Sequence, residues 1–238
     1  WKGAPGLLKG VIFDLDGVLL KFNLDSRKIK EEIIKFFVQN ELKKSLLSPK
    51  DSFSFIKDFV RGYFSKNGKD EVWIDDLLRK GEEIAIRYEI EAARTTDLLP
   101  HVREVLKSLK DKGLKLAVFT YNNSQAAKVA LNRTRTIDFF DVVLARDNVP
   151  KPKPNPEHLR MVLQELNIEP HEAIVVGDTE MDIKPCKALG VKVVSVTTGI
   201  RTEEELMKFD PDFIISELDQ LLSLIERFMS EDNEVQSN

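Results

Sequence analysis

Two aspartates one residue apart, Asp14 and Asp16, follow the apolar run Val11-Ile12-Phe13 and precede Gly17. Three more polar residues stand in the same kind of place downstream. Thr120 follows Lys115–Phe119, Lys151 lies in a proline-rich segment after Val142–Ala145, and Asp178 follows Ala173–Val176 and Gly177. The residue types suggest one chemistry. Asp14 and Asp178 are hard oxygen ligands, suited to Mg2+, which commonly takes one or two carboxylates, waters and a phosphate oxygen. A carboxylate can also attack phosphorus and form an aspartyl-phosphate. It does so only if its repulsion from the anionic substrate is offset, which Mg2+ and Lys151 would do. Thr120 brings a hydroxyl, and Tyr121, Asn122 and Asn123 bring amides close to a helix start, a natural phosphate cradle. Asp16 is then left as acid to the departing alkoxide and as base for the hydrolytic water.

Each of these residues has an ordinary reading when taken alone. Asp-x-Asp-Gly and Gly-Asp are common turns. A threonine at a strand end caps or packs, and a lysine among prolines is solvated. Glu180 and Asp182 suit the first turn of a helix because the macrodipole favours acids there. The convergence is what outweighs these readings: four separate strands deliver polar residues to their carboxyl ends, where open α/β sheets bind ligands.

The elements that would position them follow from periodicity. Short apolar runs bounded by turn signals read as buried parallel strands at about 10–15, 115–119, 142–145, 173–176, 191–196 and 213–215. While the first strand lasts, Asp14 and Asp16 share a face. Helices are expected at about 100–112, stopped by Gly113, at 124–134 with Ser124 as N-cap, at 157–167, at 180–189, stopped by Gly190, and at 218–228. Alternating strand and helix argue for a parallel sheet covered on both faces. From Asn23 to about Arg94 the texture changes. Ile29, Ile33, Phe36 and Phe37 form one helical stripe, Phe53, Ile56, Val60 and Phe64 another, and Leu77, Leu78, Ala85 and Tyr88 a third. The expected division is a core of 1–22 and 95–229, a helical insertion of 23–94 standing over the sheet's carboxyl edge, and a polar, frayed tail of 230–238.

Composition narrows the function classes. The 238 residues carry a net charge of -4, which argues against a nucleic-acid partner. The single cysteine, Cys186, allows no intramolecular disulfide and no cysteine-based zinc site, and fits a reducing cytoplasm. No apolar run approaches the roughly 18 residues of a membrane span.

These motifs resemble those of the haloacid dehalogenase (HAD) superfamily, in its phosphatase branch with a helical C1-type cap inserted after the first motif. FDLDGVL at 13–19 matches the first motif and VFT, ending at Thr120, the second. KPKPN at 151–155 matches the third, usually Lys-Pro-x-Pro-Asp, and VVGDTEMDI at 175–183 the fourth. The likeness implies a Rossmann-like sheet with the first strand central. It makes Asp14 the nucleophile, Asp16 the acid/base, and Thr120 and Lys151 the phosphate binders. It completes the Mg2+ site with Asp14, the backbone carbonyl of Asp16, and Asp178, and leaves Asp182 as support. Two departures stand out: Asn155 replaces the usual Asp, and Lys153 adds a second basic residue able to share the phosphate.

Within the family, true dehalogenases lack an aspartate at the place of Asp16 and need no Mg2+, and transport ATPases carry threonine there. The resemblance therefore implies Mg2+-dependent hydrolysis of a small-molecule phosphate monoester, phosphoglycolate phosphatase-like, by a monomer or homodimer. The alternatives are a phosphomutase of the β-phosphoglucomutase type and a non-catalytic phosphate-binding protein. Mutases of that type carry a histidine shortly after the first motif, where this chain has Leu20-Lys21-Phe22-Asn23. The two chain crossings, Leu20–Asn23 and Thr95–Leu99, are the expected hinges of the cap.

Overall fold

A computed structural model describes residues 8–21 and 24–236. Trp1 to Leu7, Phe22, Asn23, Ser237 and Asn238 lie outside the described residues, and with them much of the expected lead-in and part of the first expected hinge. The chain divides into two compact units, Asn23–Ala92 and the remainder, Trp1–Phe22 with Ala93–Asn238.

The larger unit holds a six-stranded, wholly parallel sheet in the order β3-β2-β1-β4-β5-β6. Its strands are β1 (Gly10–Phe13), β2 (Lys115–Phe119), β3 (Val142–Leu144), β4 (Ala173–Gly177), β5 (Lys192–Val196) and β6 (Phe213–Ile215). β1 sits centrally because Val11, Ile12 and Phe13 are apolar on both faces and tolerate neighbours and helices on every side. Its helices are α4 (Val102–Asp111), α5 (Ser124–Arg133), α6 (Pro156–Leu166), α7 (Glu180–Leu189), α8 (Glu203–Met207) and α9 (Gln220–Gln236). Ile12, Ala117, Phe119, Val175 and Val193 share one sheet face and pack on Leu159, Val162 and Leu163 of α6 and Ile183 and Cys186 of α7.

The smaller unit is built from α1 (Ser26–Gln39), α2 (Phe53–Lys66) and most of α3 (Glu71–Thr95). Asp25 caps α1 through the Lys28 N–H, and Ser52 caps α2 through the Phe55 N–H. The three stripes meet in one cluster around Ile29, Ile33, Phe37, Ile56, Val60, Phe64, Ile74 and Leu77.

Four details differ from the sequence reading. β1 ends at Phe13, not near residue 15, because the chain turns at Gly17 with φ +78°. The N-cap of α5 is Asn123, whose side chain accepts from the Gln125 N–H, not Ser124. The short helix α8 was not anticipated, although Thr202 and Glu205 form a capping box that marks its start. The expected tail is helical through Gln236, since α9 continues past Phe228.

Candidate active site

Parallel strands send their carboxyl ends to one edge, and the polar residues collect there. Asp14 follows β1, Thr120 follows β2, Lys153 lies between β3 and α6, Asp178 follows β4, and Gly199 lies beyond β5. The Asp14 N–H bonds the Val176 carbonyl at 2.9 Å, so the sheet ladder fixes the first aspartate although the strand has ended. β1 ends before Asp16, so strand alternation does not set its direction, although its charge still acts on Asp178. Asp14 is buried, whereas Asp16 is half-buried and accepts from the Asn122 side-chain amide at 2.6 Å.

The lysine beside the aspartates is Lys153, not Lys151. Lys151 is exposed. Lys153, only 2% exposed, places its Nζ 2.7 Å from both Asp14 Oδ1 and Asp182 Oδ1 and donates to the Phe119 carbonyl at 2.9 Å. Lys-Pro occurs twice in succession and admits two registers. In the second register the segment reads Lys153-Pro154-Asn155-Pro156-Glu157, Lys-Pro-x-Pro followed by an acid, so the apparent departure at Asn155 disappears. Asn155 instead caps α6 by accepting from the Glu157 N–H, with Pro156 at the first helical position.

A fully buried histidine fixes the backbone of that lysine. His158 Nδ1 accepts from the Lys153 N–H at 3.2 Å, which leaves Nε2 to donate to the Leu144 carbonyl, also at 3.2 Å. Burial and the Lys153 charge pull the imidazole down to about 4, so it is neutral. Nothing in the sequence singled out this lone helical histidine.

The acidic residues are tightly held. Asp14 Oδ1 accepts from the Leu15 N–H at 2.7 Å as well as from Lys153. Asp178 Oδ2 accepts from the Ile200 N–H at 3.1 Å. Both oxygens of Asp182 are engaged, Oδ1 by Lys153 and Oδ2 by the Thr179 N–H and hydroxyl. Two glycines make room for Asp178: a Cβ on Gly17 would stand 2.6 Å from its Oδ2, and one on Gly199 would overlap its carboxylate. Thr120 is buried, and its hydroxyl accepts from the Asn122 N–H at 3.1 Å.

Burial raises Asp14 well above the usual carboxylate range; Lys153 opposes the rise, and Asp182 and Asp178 add to it. Burial, then Asp182, lifts Asp178 to about 7. Burial works against the Lys153 ammonium, but Asp14 and Asp182 outweigh it and hold its pKa above the ordinary value.

Asp14, Asp178 and Asp182 each place an oxygen within 4.8 Å of the others, and all three are buried. One ammonium against three carboxylates leaves a hard-oxygen cluster short of positive charge. That donor set fits a divalent cation of the Mg2+ type. Among the described residues Asp14 Oδ2 and Asp178 Oδ1 accept no hydrogen bond and stay open to a cation, whereas Asp182 is fully engaged.

Comparison with known proteins shows the family. Residues 11–196 match the model of the haloacid dehalogenase-like hydrolases. The chain belongs to that family. A pyrophosphatase, PpaX of Bacillus pumilus, is 31% identical over 218 residues, covering 90% of this chain and 95% of that one. Two solved structures share the fold. A haloacid dehalogenase-like hydrolase from Streptococcus pneumoniae aligns with TM-score 0.62 and 20% identity, over 91% of this chain and 98% of that one. A protein described as a predicted phosphoglycolate phosphatase from Haemophilus somnus aligns with TM-score 0.64 and 21% identity, over 91% and 97%. The family generally uses a divalent metal, and the buried aspartate cluster is where this chain would hold it. No helix among the described residues is long and apolar enough to cross a membrane.

Proposed function

We propose that this HAD-family hydrolase is a Mg2+-dependent phosphatase that cleaves a small-molecule phosphate monoester through an aspartyl-phosphate on Asp14. The observation that carries the reading is Lys153, buried between Asp14 and Asp182 with Asp178 beside them. Asp14 would hold the metal with Asp178 and, as the family likeness implies, the Asp16 backbone carbonyl. When bound, Mg2+ supplies charge that offsets the repulsion between carboxylate and phosphate.

Each residue then has a defined task. The Leu15 N–H and Lys153 hold Asp14 Oδ1, which fixes the plane of the nucleophilic carboxylate before attack. Lys153, kept charged by its two partners, stabilises the negative charge of the transferring phosphoryl group. This assigns to Lys153 the phosphate-binding role first given to Lys151. The Thr120 hydroxyl stands at the same edge as a donor to phosphate, and Asp182 orients Lys153. Asp16 protonates the leaving alkoxide and afterwards takes a proton from the attacking water. Asn122, first read as a substrate donor, holds Asp16 in place.

A monoester stands first because Asp16 supplies the proton an alkoxide leaving group requires. Inorganic pyrophosphate is the second reading, favoured by the Bacillus relative. The test is phosphate release from p-nitrophenyl phosphate, phosphoglycolate and pyrophosphate with Mg2+ and with EDTA. Metal-dependent release that vanishes in Asp14→Asn supports the reading; release unaffected by EDTA or by Asp14→Asn contradicts it.

A further inference from the structure

The loop that carries Asn122 runs from the end of β2 to Asn123, the N-cap of α5. It is also tied to the turn that follows β3. The Arg146 N–H bonds the Asn122 carbonyl at 3.2 Å, and Arg146 Nη1 bonds the Tyr121 carbonyl at 2.9 Å. The Asp147 carboxylate takes both donors of Ser124, the N–H at 2.7 Å and the hydroxyl at 2.6 Å. Three residues among 121–124 are thus tied to two consecutive residues of one turn. The turn is closed on itself, with the Asn148 N–H on the Ala145 carbonyl and the Ala145 N–H on Asn148 Oδ1, both at 3.0 Å. Asn122 ends this chain of contacts on the Asp16 carboxylate.

We propose that Arg146 and Asp147 are positioning residues for Asp16, acting through Ser124, Tyr121 and Asn122. The inference rests on the phosphatase reading, in which Asp16 is the acid. A charge-assisted pair of hydrogen bonds to a carboxylate is a strong way to pin a loop. An error of about 1 Å in the placement of a proton donor can cost on the order of a hundredfold in rate.

The role has a signature that a merely structural contact lacks. General-acid help matters most when the leaving group is a poor one. In the full chain with Mg2+, Asp147→Ala is expected to lower kcat/KM, which reports the phosphorylation half-reaction and not the later hydrolysis, about tenfold or more on an alkyl phosphate and less than about twofold on p-nitrophenyl phosphate. Asp147→Asn restores most of the loss, because its Oδ1 still accepts from the Ser124 N–H and its amide can donate to the Ser124 hydroxyl. An equal fall on both substrates, or none, overturns the proposal.

A second readout needs no turnover. The side-chain amide signal of Asn122, identified by its loss in Asn122→Ala, should move toward the position of a solvated amide in Asp147→Ala and return in Asp147→Asn. An unmoved signal overturns the inference. Failure of the phosphatase reading shows separately, as a wild type with no Asp14-dependent turnover.

Discussion

Replacing Lys153 with methionine keeps the length of the side chain and removes its charge. At 2.7 Å from Asp14 and from Asp182, each ion contact is worth about 6 kcal/mol at an effective dielectric near 20. Much of that gain is spent on taking the ions out of water, so the net cost of stripping one partner from a buried pair is about 3–5 kcal/mol. Protonation of Asp14, already pushed upward by burial, relieves part of it and points to the lower end of that range. For a chain of this size about 3 kcal/mol corresponds to a fall in Tm of roughly 6–12 °C. Exposed Lys151 has no such partners among the described residues, and Lys151→Met should stay within about 0.5 kcal/mol of wild type. Thermal melts of both variants at pH 7 in EDTA, with kcat/KM in Mg2+, test this. Lys153→Met should also lose at least about a hundredfold in kcat/KM, and Lys151→Met almost nothing. If Lys151→Met were the more damaging change in either assay, the placement of the site lysine would be refuted.

Further expectations concern pH and the metal. The unfolded chain protonates His158 near 6.5 and the fold only near 4, so stability is full above pH 6.5 and falls toward pH 4 by up to about 3 kcal/mol. The difference between wild type and His158→Gln in urea midpoints across that window should show this slope; a constant difference would contradict it. Asp178 has the opposite sign, because its folded value near 7 lies above the ordinary 3.8. In EDTA its contribution is present at low pH and lost as pH rises through 7, by up to about 4 kcal/mol. Asp178→Asn should therefore melt above wild type in EDTA at pH 8 and lose that advantage in Mg2+; no gain in EDTA would count against a strained metal-free cluster. Gly199→Ala would push a methyl into the Asp178 carboxylate and should weaken Mg2+ binding, measured by calorimetry, by about tenfold or more. Unchanged affinity would place Asp178 outside the metal site.

The sheet was legible because each strand is a short apolar run ending in a turn signal, and β2, β4 and β6 fall within a residue of their expected ends. The helical stripes of the smaller unit were equally legible, since Ile56, Val60 and Phe64 bury themselves at the spacing one helix face requires. The lysine was not legible. Lys151-Pro152 and Lys153-Pro154 are the same dipeptide, and only three-dimensional reach to Asp14 tells them apart. His158, Arg146 and Asp147 were hidden for a related reason. Their contacts, to Lys153, Tyr121, Asn122 and Ser124, depend on which loops the parallel sheet brings together, and no local pattern encodes that. The end of α9 was misread because its last turns are polar, and polarity alone does not stop a helix.

The central claim is that Asp14 carries the phosphoryl group. Rapid-quench mass spectrometry of the enzyme turning over a monoester with Mg2+ tests it most directly. The account predicts one phosphoryl group on the peptide containing Asp14, released by hydroxylamine and absent from Asp14→Asn. Full turnover with no phosphorylated peptide at any time, or with the label elsewhere in the chain, would contradict it.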